Sequence, residues 1–253
     1  MRVVSPLRGG GTKRERENDG EQTSHRVSRA RTESHHRLVF VPAMITIIKK
    51  LNESDSPLVL SRAMTQLVRL LYEKDGDSRH SMQECFFNSG GQLAVVTCML
   101  KYPHNRHLQH EGIRALTNAT CNNTRNKIVI AEIGGIQATV QAMRNHASDK
   151  ETQRLCFKAL NNLIHKKYHA GLFVQELDGT LLIIHAMDEF AGDANVIQKA
   201  VVVLAKLCWT KNLRPMLQEA NVGGALTLAL EKHASDEKIQ KYAREALEKL
   251  SLL

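Results

Sequence analysis

Four short signals recur down this chain at a nearly constant interval: Ser89-Gly90-Gly91, Gly134-Gly135, Asp178-Gly179 and Gly223-Gly224. Each opens an apolar run, and the steps between their second glycines are 44, 44 and 45 residues. A unit of that size cannot bury its apolar face alone. It needs like units stacked on either side, so the interval predicts a helical solenoid that offers a long surface rather than a single deep pocket.

Set in register, the units share a column of small residues: Ala63, Gly112, Cys156, Ala200 and Ala243. Four positions on, every member is leucine: Leu67, Leu116, Leu160, Leu204 and Leu247. Three further on stand Leu70, Ala119, Leu163, Leu207 and Leu250. Steps of four and three lie on one stripe of a helix. The small column lets that helix approach its neighbour, and the leucines fill the space between layers. Each buried leucine contributes roughly 1.5–3 kcal/mol.

A second signature pairs His146-Ala147-Ser148-Asp149 and Gln153 with His233-Ala234-Ser235-Asp236 and Gln240. Ser148 with Glu151 fits a capping box and predicts a helix start near Asp149. Ser235 or Asp236 is expected to cap the matching helix. Each full unit reads as three helices, which in the unit at Gly134 fall at about 135–145, 149–164 and 168–177. The glycine pair supplies the bend between units, since glycine tolerates positive φ. The array is expected over 39–253, in units of about 42–88, 89–133, 134–177, 178–221 and 222–253.

Residues 1–38 have a different texture, rich in Arg, Glu, Ser, Gly and His. They lack the apolar surface needed to offset ordering entropy and are read as a disordered basic segment. Nine Lys/Arg against five Asp/Glu give this stretch +4 of the chain's +9, which leaves a mild +5 for the array. That balance makes only a weak case for nucleic acid. Cys85, Cys98, Cys121, Cys156 and Cys208 are dispersed and odd in number, as in free thiols of a reducing compartment, cytoplasmic or nuclear. No apolar run is long enough for a membrane span.

These residues resemble a known family. Gly134-Gly135-Ile136, then Gln153, then Ala159-Leu160-Asn161-Asn162-Leu163 look like an armadillo repeat. So do Gly90-Gly91 with Ala115-Leu116-Thr117-Asn118-Ala119. So too do the units carrying Gln198, Ala200 and Val203–Leu207, and Gln240, Ala243 and Ala246–Leu250. The resemblance spans about 42–253 in some five repeats. It implies an all-α, right-handed superhelical solenoid of three-helix repeats, whose third helices line a concave groove. In the family's peptide-transport branch an Asn column on those helices bonds an extended peptide, and a Trp four residues earlier packs its side chains. Here the Asn column reads Arg69, Asn118, Asn162, Lys206, Lys249, and the Trp column Thr65, Arg114, Lys158, Val202, Glu245. This departure argues against import-receptor function. The lone Trp209 falls outside the column.

The columns offer positive charge instead. The resemblance makes Arg69, Arg114, Asn118, Lys158, Asn162, Lys206 and Lys249 the expected partner-binding groove of a non-enzymatic adaptor. Its ligand would be an acidic or extended peptide, drawn in by charge complementarity. The alternatives are nucleic-acid association through the basic tail and groove, and self-association through an apolar C-terminal edge at Leu250-Ser251-Leu252-Leu253. His104, His107 and His110 recur at steps of three near Cys98 and Cys121, but Pro103 sets the first in a loop, so no metal site is expected. No hydrolase elbow, kinase set or zincin motif is present, and no catalytic residue or cofactor is predicted.

Overall fold

The computed structural model describes residues 40–72 and 76–251. The segment read as disordered, 1–38, and the predicted edge residues Leu252 and Leu253 lie outside the described residues.

Among the described residues the chain is helical throughout, with no strand. Helix α1 covers 40–53 and α2 Pro57–Leu71. Three-helix groups follow: α3 (Gly76–Asn88), α4 (Gly91–Lys101) and α5 (Arg106–Thr120); then α6 (Thr124–Ile130), α7 (Ile136–Asn145) and α8 (Lys150–Leu163). Next come α9 (Lys167–Gly171), α10 (Gly179–Glu189) and α11 (Ala194–Cys208), and finally α12 (Arg214–Glu219), α13 (Val222–Lys232) and α14 (Glu237–Ser251). The segment Ala131–Gly135 carries α6 into a kink at Gly134, and a wider π turn at Leu172–Glu176 extends α9. The pair α1–α2 is called the first repeat below, and the four groups the second to fifth.

The long helices α2, α5, α8, α11 and α14 stack on one another in order and form one wall. Helices α4, α7, α10 and α13 form a second row behind it. The small column is buried along its whole length, and Leu67, Leu116, Leu160 and Leu204 are fully withdrawn from solvent. Leu247 is only partly buried, because α14 has no described helix beyond it. Gly112 shows why the column is small: a Cβ there would meet the Met99 side chain at 2.6 Å.

The bend between units depends on one backbone state rather than on a glycine pair. The left-handed positions at these bends, each between the first and second helix of its group, are Gly90, Gly134, Asp178 and Asn221, at φ 72°, 99°, 50° and 57°, and Asn122 at 53° is a further one in the turn between α5 and α6. Asp and Asn enter this region more readily than other non-glycine residues, so they serve where glycine is missing. Gly223 and Gly224 lie inside α13, so they do not mark the bend in the fifth repeat.

Polar links recur with the same period. Gln109 Nε2 donates to the Met99 and Tyr102 carbonyls at 2.8 and 3.0 Å. Gln153 does so to Met143 and His146 at 2.9 and 3.0 Å, and Gln240 to Leu230 and His233 at 2.8 and 3.2 Å. Each ties the start of a long helix to the end of the helix before it. In the fourth repeat the residue at this place is the buried Ile197, not Gln198. A second set reaches back one repeat: Tyr102 Oη to the Asp55 carbonyl at 3.0 Å, His146 Nε2 to Pro103 at 3.1 Å, His233 Nε2 to Ala191 at 2.8 Å. The corresponding residue of the fourth repeat is Phe190, which has no donor.

Four of the long helices start on Asn or Asp caps, whereas α2 follows Ser56 with Pro57 as its first residue and no side-chain cap bond. Asn105, Asp149, Asp193 and Asp236 each accept from amides of the first turn. The expected Ser148–Glu151 box does not form, because Asp149 is the cap and Glu151 instead grips Arg154 at 2.6 and 2.7 Å. A carboxylate at this place also suits the positive end of the helix dipole.

At the start of α9, His169 Nδ1 accepts from the amides of His165 and Lys166 at 3.4 and 3.3 Å. The ring is 1% exposed, and burial is the main influence pulling its pKa below the ordinary 6.5. The unfolded chain therefore binds a proton at this position at a higher pH than the folded chain. The stabilisation is complete above pH 6.5 and is lost as the pH falls below it. Urea unfolding at pH 7.5 and 5.5 should show a drop in stability that narrows in His169→Gln; an identical drop in the variant would refute the assignment.

Candidate functional site

The outward face of the wall carries the predicted groove residues, and the structure gives them unequal circumstances. Arg69 and Lys158 are exposed and make no side-chain ion pair among the described residues. Arg69 borders two open recesses. One, of about 570 Å³, is lined by α2 residues such as Arg62 and Thr65 with Asn105 and His107 opposite. The other, of about 510 Å³, lies between α1 and α2 and is lined mainly by Pro42, Ile47 and Leu70.

The rest are partly engaged by the fold. Arg114 Nη1 donates to Glu111 Oε1 at 2.8 Å, and the other oxygen of that buried carboxylate has no partner. Asn162 Nδ2 reaches back to α5, donating to Thr120 Oγ1 at 3.1 Å, so its amide binds the neighbouring layer. Asn118 is half-buried, and its carbonyl accepts from Gln83 at 2.8 Å while its side-chain amide is open. Lys206 Nζ caps the Asn161 carbonyl at the end of α8 at 2.5 Å. Burial, with Lys127 nearby, pulls that amine below the ordinary lysine range. Lys249 lies 4.8 Å over the Trp209 ring, which is 62% exposed. The face therefore includes an aromatic after all, just beyond the end of α11.

Reading the two ladder columns alone missed further cations of the same face. Lys199 lies one position before the small column, with Arg154 and Lys241 two before it. Their signal was visible in the sequence, since positions two before and two after the small column share a helix face.

The three histidines diverge. His104 is in the turn before α5, His107 Nε2 meets Thr65 Oγ1 at 3.3 Å, and His110 bonds Asp149 and Thr152 at 2.7 and 2.6 Å. Among the described residues no group of His, Cys, Asp and Glu is placed to hold a metal ion. All five cysteines are free thiols, and burial pushes Cys98 to about 11 and Cys208 to about 12. Thiols in such surroundings stay protonated and pack as small apolar groups. No helix among the described residues is long and apolar enough to cross a membrane.

A designed armadillo repeat protein superposes on this chain with a TM-score of 0.60 at 16% identity, covering 82% of this chain and 99% of its own. The fold is an armadillo-repeat array. An engineered protein from a structural genomics consortium superposes at 0.59 and 18% identity, over 82% of this chain and 96% of its own. In sequence, 126 residues are 29% identical to Protein aardvark of Dictyostelium discoideum. That match spans 46% of this chain and only 16% of the relative's length. No family model matches the chain. Of the five positions in the Asn column two hold Asn, one of them tied to the preceding layer, and the Trp column holds no Trp.

Proposed function

We propose that this chain is a non-enzymatic protein-interaction scaffold that binds an acidic or extended peptide segment along the outward face of its long helices. The observation that carries this reading is the charge on that face. Arg69 and Lys158 are exposed without acidic partners, and Asn118 between them keeps a free amide. Arg114, Asn162, Lys206 and Lys249 flank the track but are held by Glu111, Thr120, Asn161 and Trp209. They shape and polarise the face, while Arg69, Asn118 and Lys158 are free to contact a ligand. Unpaired cations on a wall steer acidic segments and set their register.

The test is binding of acidic, neutral and basic random-sequence peptides to the wild type and to an Arg69→Glu/Lys158→Glu variant. Acidic peptides should bind best and lose about tenfold or more in the variant. Circular dichroism should be unchanged, since both residues are exposed. Equal binding of the three pools, or undiminished binding by the variant, would refute the reading. Retention of single-stranded RNA in place of peptides, falling steeply with salt, would move the function to nucleic-acid association.

A further inference from the structure

Three positions after the small column, α5, α8, α11 and α14 carry Ala115, Ala159, Val203 and Ala246, and all four are buried. At the same place α2 has Gln66, which is exposed, and one turn further on Leu70 is only partly buried. The first repeat thus leaves open a strip of its long helix that every later repeat buries. That strip is one wall of the recess of about 510 Å³ between α1 and α2. Pro42, Ala43 and Ile47 of α1 and Leu70 of α2 give the recess an apolar lining. Its volume falls within the roughly 300–1,000 Å³ of pockets that take a ligand, and such pockets combine an apolar lining with a few placed polar groups.

The charged groups here are cations. Lys50 of α1 and Arg69 of α2 border the recess, and both are exposed. Neither has an acidic partner among the described residues, whereas Lys49 beside them approaches Glu53 at 4.0 Å. Gln66 and Arg69 also border the second recess, of about 570 Å³, so one turn of α2 is the ridge between the two. Beyond the ridge stands Arg62, exposed and likewise without an acidic partner. Among the described residues no aspartate or glutamate lines either recess. The first repeat therefore presents an apolar hollow with positive charge on its rim and along the ridge.

A purely acidic segment would meet these cations only at the surface, where screened ion pairs contribute little. A purely apolar one would draw Lys50 and Arg69 out of water with no counter-charge. A segment that joins an apolar side chain to flanking carboxylates answers both. We propose that the recess between α1 and α2 holds the apolar side chain of a partner peptide, whose neighbouring carboxylates pair with Lys50 and Arg69. The proposal rests on the peptide-scaffold reading and adds to it an apolar anchor at the first repeat. One buried anchor ringed by weaker contacts is how affinity is commonly distributed over an interface.

The experiment uses the full chain and random-sequence peptide libraries with one fixed central position. The fixed residue is leucine or serine, and its flanks are drawn from acidic or from neutral polar residues. The acidic leucine pool should bind about tenfold more tightly than the acidic serine pool, as burial of a leucine in an open recess implies. Ala43→Phe fills the recess and should level these two pools. Thr46→Trp covers it from the exposed rim and should do the same, which guards against a folding defect in the first variant. Lys50→Glu/Arg69→Glu should weaken both acidic pools and leave the neutral leucine pool unchanged. Equal affinity for the acidic leucine and serine pools, a leucine preference that survives both filled variants, or a neutral leucine pool as tight as the acidic one would overturn the site. If the acidic pools bind equally and Arg69→Glu/Lys158→Glu weakens both, the scaffold reading stands without the anchor. If no pool binds, both fall. Self-association of the wild type in light scattering, lost in Ala43→Phe, would give the recess to a second copy. A synthetic peptide of residues 1–38 that competes more tightly than the acidic leucine pool would give it to the chain's own leading segment. Either result would overturn the external partner.

Discussion

Truncating Leu160 to alanine should destabilise the array by about 2–5 kcal/mol, seen as a lower midpoint in urea unfolding. Leu160 is fully buried on α8, between the layers that hold Leu116 and Leu204. The void would be enclosed by helices already fixed by their own neighbours, so it cannot easily collapse, and the cavity adds to the lost transfer energy. Leu247→Ala provides the comparison within the same column. Leu247 is only partly buried, so its truncation should cost well under half as much. Similar losses at the two positions would show that the leucine column does not form the core between layers.

The second large effect is expected at Gln153. Its amide donates to the Met143 and His146 carbonyls from a site 2% exposed. In Gln153→Leu the volume is nearly kept and both donors are lost. A buried polar group left without its partner costs about 1–3 kcal/mol, so a loss of about 2 kcal/mol or more is expected for the two. Amides at the end of α7 and the start of α8 should exchange faster, whereas α13 and α14 should be unaffected if the repeats interact mainly with their nearest neighbours. A loss below about 0.5 kcal/mol, within the range of ordinary surface changes, would mean that these carbonyls find other partners.

Some of this was legible in the chain and some was not, for physical reasons. Residues packed between like layers face the same neighbours in every repeat, so their chemistry recurs and the small and leucine columns can be aligned by eye. The bend between units demands a backbone state rather than a residue type. Gly90, Gly134, Asp178 and Asn221 all satisfy it, and the glycines at 223 and 224 mislead the count. Gln198 misled in a similar way, since it lies one residue from the place that Ile197 occupies. The Ser148–Glu151 box failed because Asp149 is the better acceptor and Arg154 offers Glu151 a fork.

The candidate site was less legible. Sequence columns say which face a residue is on but not what the adjacent layer does to it. Lys206 and Asn162 are engaged by Asn161 and Thr120, and Lys249 by Trp209, all from other helices. Lys199 is on neither family column, and its amine donates to Gln198 Oε1 beside it.

The fourth repeat differs from its neighbours in one respect that bears on the shape of the whole face. Where the second, third and fifth repeats place a glutamine and a tyrosine or histidine, it has Ile197 and Phe190. Hydrogen bonds fix distance and direction, whereas apolar contact tolerates sliding at little cost. Pitch and curvature in a stacked array are set by small rotations between successive units. At these two positions the fourth repeat has no hydrogen bond to break when it rotates. The wall itself is still tied across this interface by Lys206 on the Asn161 carbonyl and Lys150 on Asp193, so the freedom gained at Phe190 and Ile197 is local to the end of α10 and the start of α11.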